Sequence, residues 1–153
     1  MAAVAQNQVQ KYNPKLMCNV AIKQANGDNF WSIYNKQDDS KMNSCESNVT
    51  ATSTFQSIPS RGQNKINLFA NNGKYVMIKR DIGGQGIHAL AKQPKTWELF
   101  TLEPITSQLI QDKTNLYAIK CDNGKYITSN GKGWLIANSS NIGFNQMFRI
   151  IPQ

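Results

Sequence analysis

The sequence predicts an all-β fold made of three copies of one unit of about 45 residues. Three observations support this prediction. An Asn-Gly pair follows a short strand-like run at residues 26, 72 and 123. A Phe with a Pro four residues later recurs at spacings of 45 and 48 residues, as Phe55, Phe100 and Phe148. A large aliphatic residue stands 13 residues before each Phe, as Met42, Ile87 and Leu135. A spacing that is kept three times indicates an internal repeat.

The chain divides into an arm and one domain. Residues 1–15 are polar and rich in Gln and Asn, without hydrophobic periodicity, and predict a flexible N-terminal arm. Residues 16–153 predict a single domain with repeats at about 18–60, 65–105 and 115–153. Each repeat is too short to bury its own apolar face, so the three are expected to close around one core.

Each repeat is expected to contain about four short strands, which gives twelve in all. In runs such as Val20 to Ile22, the residues expected to face the core recur with a period of two, as in a strand. Asn-Gly favours a type I′ hairpin turn. Three such units predict a small barrel capped by hairpins. The length varies at residues 38–41, 80–85 and 130–132, which predicts exposed hairpin tips. The predicted core consists of Ile22, Met42, Phe55, Leu68, Ile87, Phe100, Ile119, Leu135 and Phe148.

Composition limits the classes of partner. The 153 residues carry a net charge of +8, which favours polyanions. Lysines outnumber arginines by 14 to 3, so sequence-specific nucleic-acid binding is not expected. No apolar run reaches the ~18 residues of a membrane span, and no secretory signal is evident. Three cysteines without paired spacing, namely Cys18, Cys45 and Cys121, indicate reduced and mostly buried thiols in the cytoplasm.

No catalytic constellation is predicted. His88 is the sole histidine and lies in a strand-like run, where a structural or exposed role is expected. Glu98 and Glu103 are interpreted as surface carboxylates rather than as a glycosidase pair. The sequence therefore predicts a protein that is not an enzyme and that binds neither a cofactor nor a metal.

Two segments resemble the fascin-like β-trefoil family, an actin-crosslinking family. One runs from the motif Ile66-Asn-Leu-Phe-Ala-Asn-Asn-Gly-Lys-Tyr-Val76 through Trp97 to Pro104, and the other from Tyr117-Ala-Ile-Lys-Cys-Asp-Asn-Gly-Lys-Tyr-Ile127 to Ile150. The resemblance is strong over residues 66–153, weak over 20–59 and absent from the first 15 residues. It implies a β-trefoil fold and, as a class property, binding of actin filaments through a basic surface.

The leading functional prediction is accordingly a cytoplasmic module that binds actin filaments or the actin cortex. Its basic surface is expected to come from the second and third repeats, because Asp28 and Asp38-Asp39 interrupt the pattern in the first. Crosslinking by one trefoil would need a homodimer, since it requires two sites. The candidate binding residues are Lys74, Lys79, Arg80, Lys125 and Lys132.

The alternative prediction is a carbohydrate-binding β-trefoil lectin. Trp134 follows a Gly-Lys-Gly loop and is the candidate for stacking on a sugar ring, with Asn130 and Asn138 reading hydroxyl groups. Trp97 is expected to be buried instead, because it stands three residues before a predicted core Phe. Binding of heparin or a phosphoinositide headgroup is a third prediction, which also follows from the basic charge.

Overall fold

The computed structural model describes residues 10–35, 40–80, 84–130 and 132–153. They form twelve antiparallel strands joined in one continuous sheet. The strands are β1 (Cys18–Gln24), β2 (Phe30–Asn35), β3 (Lys41–Glu46), β4 (Phe55–Pro59), β5 (Lys65–Ala70), β6 (Tyr75–Lys79), β7 (Gly86–Ala91), β8 (Phe100–Pro104), β9 (Leu116–Lys120), β10 (Tyr126–Ser129), β11 (Leu135–Ser139) and β12 (Phe148–Pro152).

Six strands close a barrel. In order around the ring they are β1, β12, β9, β8, β5 and β4, and β4 pairs again with β1. A closed ring leaves no strand edge exposed on the barrel, which removes a template for aggregation. The first and last strands are partners, with Val20 opposite Pro152 and Gln24 opposite Phe148. Each repeat contributes its first and fourth strands to the barrel, so the all-β prediction is confirmed in its β-trefoil form.

The remaining strands form three hairpins, one from each repeat. They are β2 with β3, β6 with β7, and β10 with β11. Strand β7 also pairs with β3 and β11, which brings the three hairpins together as a cap on one end of the barrel. Two of the predicted tips fall partly outside the described residues, at 38–39 and 81–83, and so does Gly131 in the third.

The predicted core is confirmed. All nine predicted side chains are at most 1% exposed. They belong to one cluster of buried residues that also contains Trp31 and Tyr12. Trp31 packs edge-to-face on Phe148, with ring centroids 5.1 Å apart. Trp97, which was expected to be buried, is half-buried and packs against this cluster from outside.

The Asn-Gly turns differ from the expected type I′ geometry. Gly73 and Gly124 have φ of +78° and +77°, but the Asn before each does not have a positive φ. The Gly73 N–H donates to Ala70 O (3.1 Å), and the Ala70 N–H donates to Lys74 O (2.8 Å). This is a longer turn with one left-handed glycine, a position that a side chain occupies only with strain.

The asparagines of these turns hold the hairpins to neighbouring strands. Asn72 Nδ2 donates to Ala89 O (2.9 Å), and its Oδ1 accepts from the Lys74 N–H (3.0 Å). Asn123 makes the equivalent bonds to Ala137 O (2.9 Å) and Lys125 N (3.0 Å). The repeated Asn therefore connects each hairpin turn to the third strand of its own repeat.

A single 3-10 turn precedes the last strand of each repeat, at Ala51–Ser53, Thr96–Glu98 and Phe144–Gln146. In each one the last side chain accepts a backbone N–H three residues earlier, and the three acceptors are Ser53, Glu98 and Gln146. Glu98 is 4% exposed, so the interpretation of Glu98 as a surface carboxylate is wrong. Its carboxylate has a structural role, because it caps the turn by accepting from the Lys95 N–H, which has no backbone partner within the turn.

Residues 10–17 lie against the barrel. Tyr12 is 2% exposed, its N–H donates to Asn115 Oδ1 (2.7 Å), and its ring packs edge-to-face on Tyr117. Of the predicted arm, residues 1–9 lie outside the described part of the chain. In the parts of the chain that are described, no helix is long and apolar enough to cross a membrane.

Candidate functional site

The five predicted basic residues do not form one continuous patch of unpaired charge. Arg80 forms an ion pair with Asp122, with 2.6 Å between Nη1 and Oδ2. Lys125 Nζ donates to Ser140 Oγ (2.7 Å). Lys74 occupies the same position in the second repeat as Lys125 in the third, beside the turn glycine. Lys79 lies at the end of β6, and Lys132 lies in the β10–β11 loop, where it borders a cleft.

That cleft lies between the first and third repeats and has a volume of about 580 Å³. Its walls come from the β1–β2 turn, from β3, from the β10–β11 loop and from the 3-10 turn before β12. We call it the amide cleft, because five carboxamide side chains and one lysine line it, namely Gln24, Asn26, Asn29, Asn130, Asn145 and Lys132. Ser44, Cys45 and Ser129 form part of the same lining.

Hydrogen bonds between the two repeats fix one wall of the amide cleft. The hydroxyl groups of Ser44 and Ser129 are 2.6 Å apart and both side chains are buried. The Ser44 N–H donates to Gly133 O (2.8 Å). The backbones of Asn43 and Trp134 form a further isolated bridge. These contacts attach Ser129, Gly133 and Trp134 to β3, which fixes this wall of the cleft.

The orientation of the Asn130 side chain is set by its own loop. Its Oδ1 accepts from the N–H groups of Lys132 (2.9 Å) and Trp134 (3.0 Å). Backbone N–H groups can only donate, so the atom that faces them must be the amide oxygen. The Nδ2 group is left without a protein partner among the described residues, and Asn130 borders the cleft. Asn130 therefore offers a ligand the two N–H donors of its side chain, and its amide oxygen is not available as an acceptor.

The charge of the lining is positive. Lys132 is exposed, and of the described residues that line the cleft none is an Asp or a Glu. Two acids adjoin the lining in sequence: Glu46 follows Cys45 and is half-buried, and Asp28 lies between two lining residues of the β1–β2 turn. The side chain of Asp28 is 97% exposed and forms an ion pair with Lys23 (3.4 Å).

Trp134 belongs to a separate feature beside the amide cleft. Its half-buried ring packs edge-to-face with Tyr34 at 5.0 Å, and Lys41 Nζ lies 4.1 Å above the ring centroid. We call these three residues the aromatic platform. Asn138 is exposed and lies four residues further along β11, a distance of about 13 Å in an extended strand. The structure thus brings Asn130 and Lys132 together but separates Asn138 from Trp134.

Sequence reasoning missed most of the cleft. Gln24, Asn26 and Asn29 come from the first repeat, whereas Asn145 comes from the third, and the intervening sequence gives no sign of their proximity. The pairing of β1 with β12 places them side by side. The sequence signal that points to the cleft is the amide-rich β1–β2 turn. Its Asn-Gly pair is typical of a hairpin turn, which favours the interpretation of these amides as turn residues and not as binding residues.

The cysteines differ from the expectation of mostly buried thiols. Cys45 is exposed in the amide cleft, Cys18 is half-buried and only Cys121 is buried. Burial raises the pKa of the Cys121 thiol, and the nearby charge of Asp122 adds to that effect. Burial also raises the pKa of Cys18.

A further polar cluster among the described residues lies on β8, β9 and β10. Tyr126 donates to Glu103 Oε2 (2.6 Å), and Lys120 Nζ lies 3.6 Å from the same oxygen. The hydrogen bond to Glu103 raises the pKa of the Tyr126 phenol, with smaller contributions from burial and the carboxylate charge. Within the described ranges, no three His, Cys, Asp or Glu side chains are grouped in a way that could hold a metal ion.

Solved structures share this fold at low sequence identity. ThreeFoil, a designed three-fold symmetric protein, is 12% identical with a TM-score of 0.71, over 88% of this chain and 99% of that one. SeviL, solved with the saccharide of asialo-GM1, is 11% identical with a TM-score of 0.69, over 90% and 98%. The BEL β-trefoil is 10% identical with a TM-score of 0.70, over 96% and 98%.

These similarities establish a β-trefoil, which is the fold that the sequence predicts. The sequence matches no protein-family profile and no curated protein. The fascin-like resemblance is supported as far as the fold, and the narrower family assignment stays a prediction.

Proposed function

We propose that this protein is a non-catalytic glycan-binding module and that the amide cleft is its binding site. The observation that carries the proposal is the convergence of five carboxamides and one lysine on a single cleft. A carboxamide has both a donor and an acceptor, so each of these side chains except Asn130, whose oxygen is occupied, can bind two neighbouring hydroxyl groups of a sugar. The volume of about 580 Å³ lies within the range of small-ligand sites.

The aromatic platform extends this site. Along β3, Lys41 of the platform lies four residues from Cys45 of the cleft, about 13 Å in an extended strand. Tyr34 is 57% exposed and offers an apolar surface for the non-polar face of a sugar. An oligosaccharide could therefore occupy both features, with one ring in the cleft and another on the platform.

A glycan array with the purified protein is the first test, and silence across neutral, sulfated and carboxylated glycans would overturn the proposal. The binding site of a glycan that gives a signal on the array is then located by protection of Cys45, which borders the cleft and is exposed. Saturating glycan should slow alkylation of Cys45 and leave that of Cys18 unchanged. Equal rates at Cys45 with and without glycan would place binding elsewhere.

Matched variants test which residues bind. Asn26→Ala and Asn145→Ala remove exposed amides of the cleft, and each is expected to weaken binding about fivefold to tenfold, the value of one or two hydrogen bonds. Asn48→Ala is the control, because Asn48 is exposed and lies outside the cleft lining. Trp134→Ala and Asn138→Ala test the residues that the sequence predicted.

Binding of actin filaments is the second candidate. The net charge of +8 and the equivalent positions of Lys74 and Lys125 support it. The ion pair with Asp122 lowers the charge that Arg80 offers, whereas Lys125 donates to the neutral Ser140 hydroxyl and keeps its charge. Co-sedimentation with filaments at low and high salt is the test, and failure to pellet at low salt would remove this candidate. A cytoplasmic location and a homodimer belong to this second proposal.

A further inference from the structure

We infer that the glycan bound in the amide cleft is acidic, bearing a sulfate or a carboxylate, and that Lys132 and Asn130 bind the acidic group. The inference rests on the proposed function and names its ligand class. Its basis is a local excess of hydrogen-bond donors and positive charge. The other amides that line the cleft offer donors and acceptors in equal measure.

The first step concerns Asn130. Because its oxygen is occupied by two backbone N–H groups of its own loop, only its N–H₂ group remains for a ligand. A sugar hydroxyl can act as donor or acceptor and needs no such bias. A sulfate or carboxylate oxygen can only accept, so it suits a site that only donates.

The second step concerns charge. Lys132 stands two residues after Asn130 in the same loop, and both border the cleft. The side chain of Lys132 is exposed, and no ion pair compensates it among the described residues. A hydrogen bond in which one partner is charged is roughly twice as strong as a neutral one. Lys132 and Asn130 thus present a cation and a neutral donor side by side.

The third step concerns what would oppose an anion. No carboxylate is found among the described lining residues. Two carboxylates adjoin the lining in sequence: Asp28 is paired with Lys23, and Glu46 is half-buried and does not line the cleft. At the other end of β3 the platform adds a second cation, Lys41, above the Trp134 ring. Both features that face an oligosaccharide therefore favour negative charge.

The test uses an array in which each sulfated or uronate glycan is paired with its neutral parent. We expect the acidic member of at least one pair to bind about tenfold more tightly than its parent, with an affinity that falls as salt rises. The sulfate and carboxylate arms show which acid is preferred. Equal binding of acidic and neutral members would overturn this inference and leave the glycan-binding proposal standing. Silence from both members would overturn both.

Two variants test where the acidic group of the glycan binds. Lys132→Gln removes the cation but keeps an N–H donor, and it should weaken acidic glycans about tenfold more than it weakens their neutral parents. Asn130→Asp keeps an oxygen for the two loop N–H groups but replaces the free N–H₂ by a second oxygen, which repels an anion. It should weaken acidic glycans by about tenfold or more.

The controls carry the same charge changes elsewhere. Lys92→Gln and Asn48→Asp alter exposed residues outside the cleft lining, and they are expected to change affinity by about twofold at most. If Lys92→Gln weakens acidic glycans as much as Lys132→Gln does, attraction is diffuse and the assigned site is wrong. Thermal unfolding of each variant shows whether a loss of binding reflects a loss of fold.

Discussion

The phenol oxygen of Tyr12 lies 2.7 Å from the hydroxyl oxygen of Ser57, and both residues are buried. This hydrogen bond joins the segment before β1 to β4 of the barrel. Asn115 adds a second attachment, since its Oδ1 accepts from Tyr12 N and its Nδ2 donates to Gln10 O (3.0 Å). Of the residues before the first strand, the described segment 10–17 is therefore attached to the packed domain through Gln10 and Tyr12.

Replacement of Tyr12 tests this attachment. Tyr12→Phe leaves the Ser57 hydroxyl buried without its partner and should lower the free energy of unfolding by about 1–2 kcal/mol. Tyr12→Ala also removes the ring from the core and should cost about 3–5 kcal/mol. Urea denaturation followed by fluorescence measures both. An unchanged stability in Tyr12→Ala would show that the segment does not stabilise the barrel in solution.

Alkaline pH should destabilise the fold through the same residue. Burial raises the pKa of Tyr12 well above its usual range, whereas an unfolded tyrosine ionises near pH ~10. Because the folded state holds the neutral phenol, this contribution is complete below pH ~10 and is lost as pH rises above it. The expected slope is about 1.4 kcal/mol per pH unit. Denaturation at several alkaline pH values should show a shallower decline for Tyr12→Phe, and identical slopes would contradict the assignment.

The three turn asparagines should differ in their effect on stability. Asn72→Ala and Asn123→Ala each remove a bond to a strand carbonyl and a bond from a turn N–H. Each should lower the free energy of unfolding by about 1–2 kcal/mol. Asn26 is exposed in a turn that is one residue longer, where Gln24 N bonds to Asn29 O (3.1 Å). Asn26→Ala should therefore change stability by less than about 0.5 kcal/mol. Equal costs at all three positions in urea denaturation would contradict this difference.

Gly133 should tolerate a side chain less well than Gly73. Both glycines have a left-handed φ, of +86° and +78°, which costs an alanine about 1–2 kcal/mol. A Cβ on Gly73 would meet no atom within 4 Å, whereas one on Gly133 would overlap the Cys45 sulfur. Gly133→Ala should thus be the more destabilising change in urea. Adding Cys45→Ala should reduce its cost toward that of Gly73→Ala, and full additivity in this double-mutant cycle would show that the overlap is relieved in another way.

The fold was accessible from the sequence because its repeat is carried by residues that must be buried. Phe55, Phe100 and Phe148 are each the buried first residue of the fourth strand of their repeat, so the same residue type recurs at an equivalent place in the barrel. The turn type was less accessible, because Asn-Gly is compatible with more than one hairpin geometry. Asn72 and Asn123 each donate to a backbone carbonyl in the third strand of their own repeat. These bonds depend on strand pairing, which a local sequence pattern does not reveal.

The site was predicted in part. Asn130 and Lys132 were identified from the loop that carries them, but their partners Asn26 and Asn145 come from distant parts of the chain. Local composition predicts a flexible arm that includes Tyr12, since a single aromatic in a polar stretch gives no periodicity. Its buried position depends on Ser57, Asn115 and Tyr117, whose arrangement arises only when the barrel closes.

The partnership of β1 with β12 has a consequence for biosynthesis. Strand β1 pairs with β12, so the ring stays open during synthesis until residues 148–152 have left the ribosome. Pairings so remote along the chain are slow to form, and an incomplete chain exposes apolar strands during that interval. Nascent chains truncated before Phe148 should accordingly depend on chaperones.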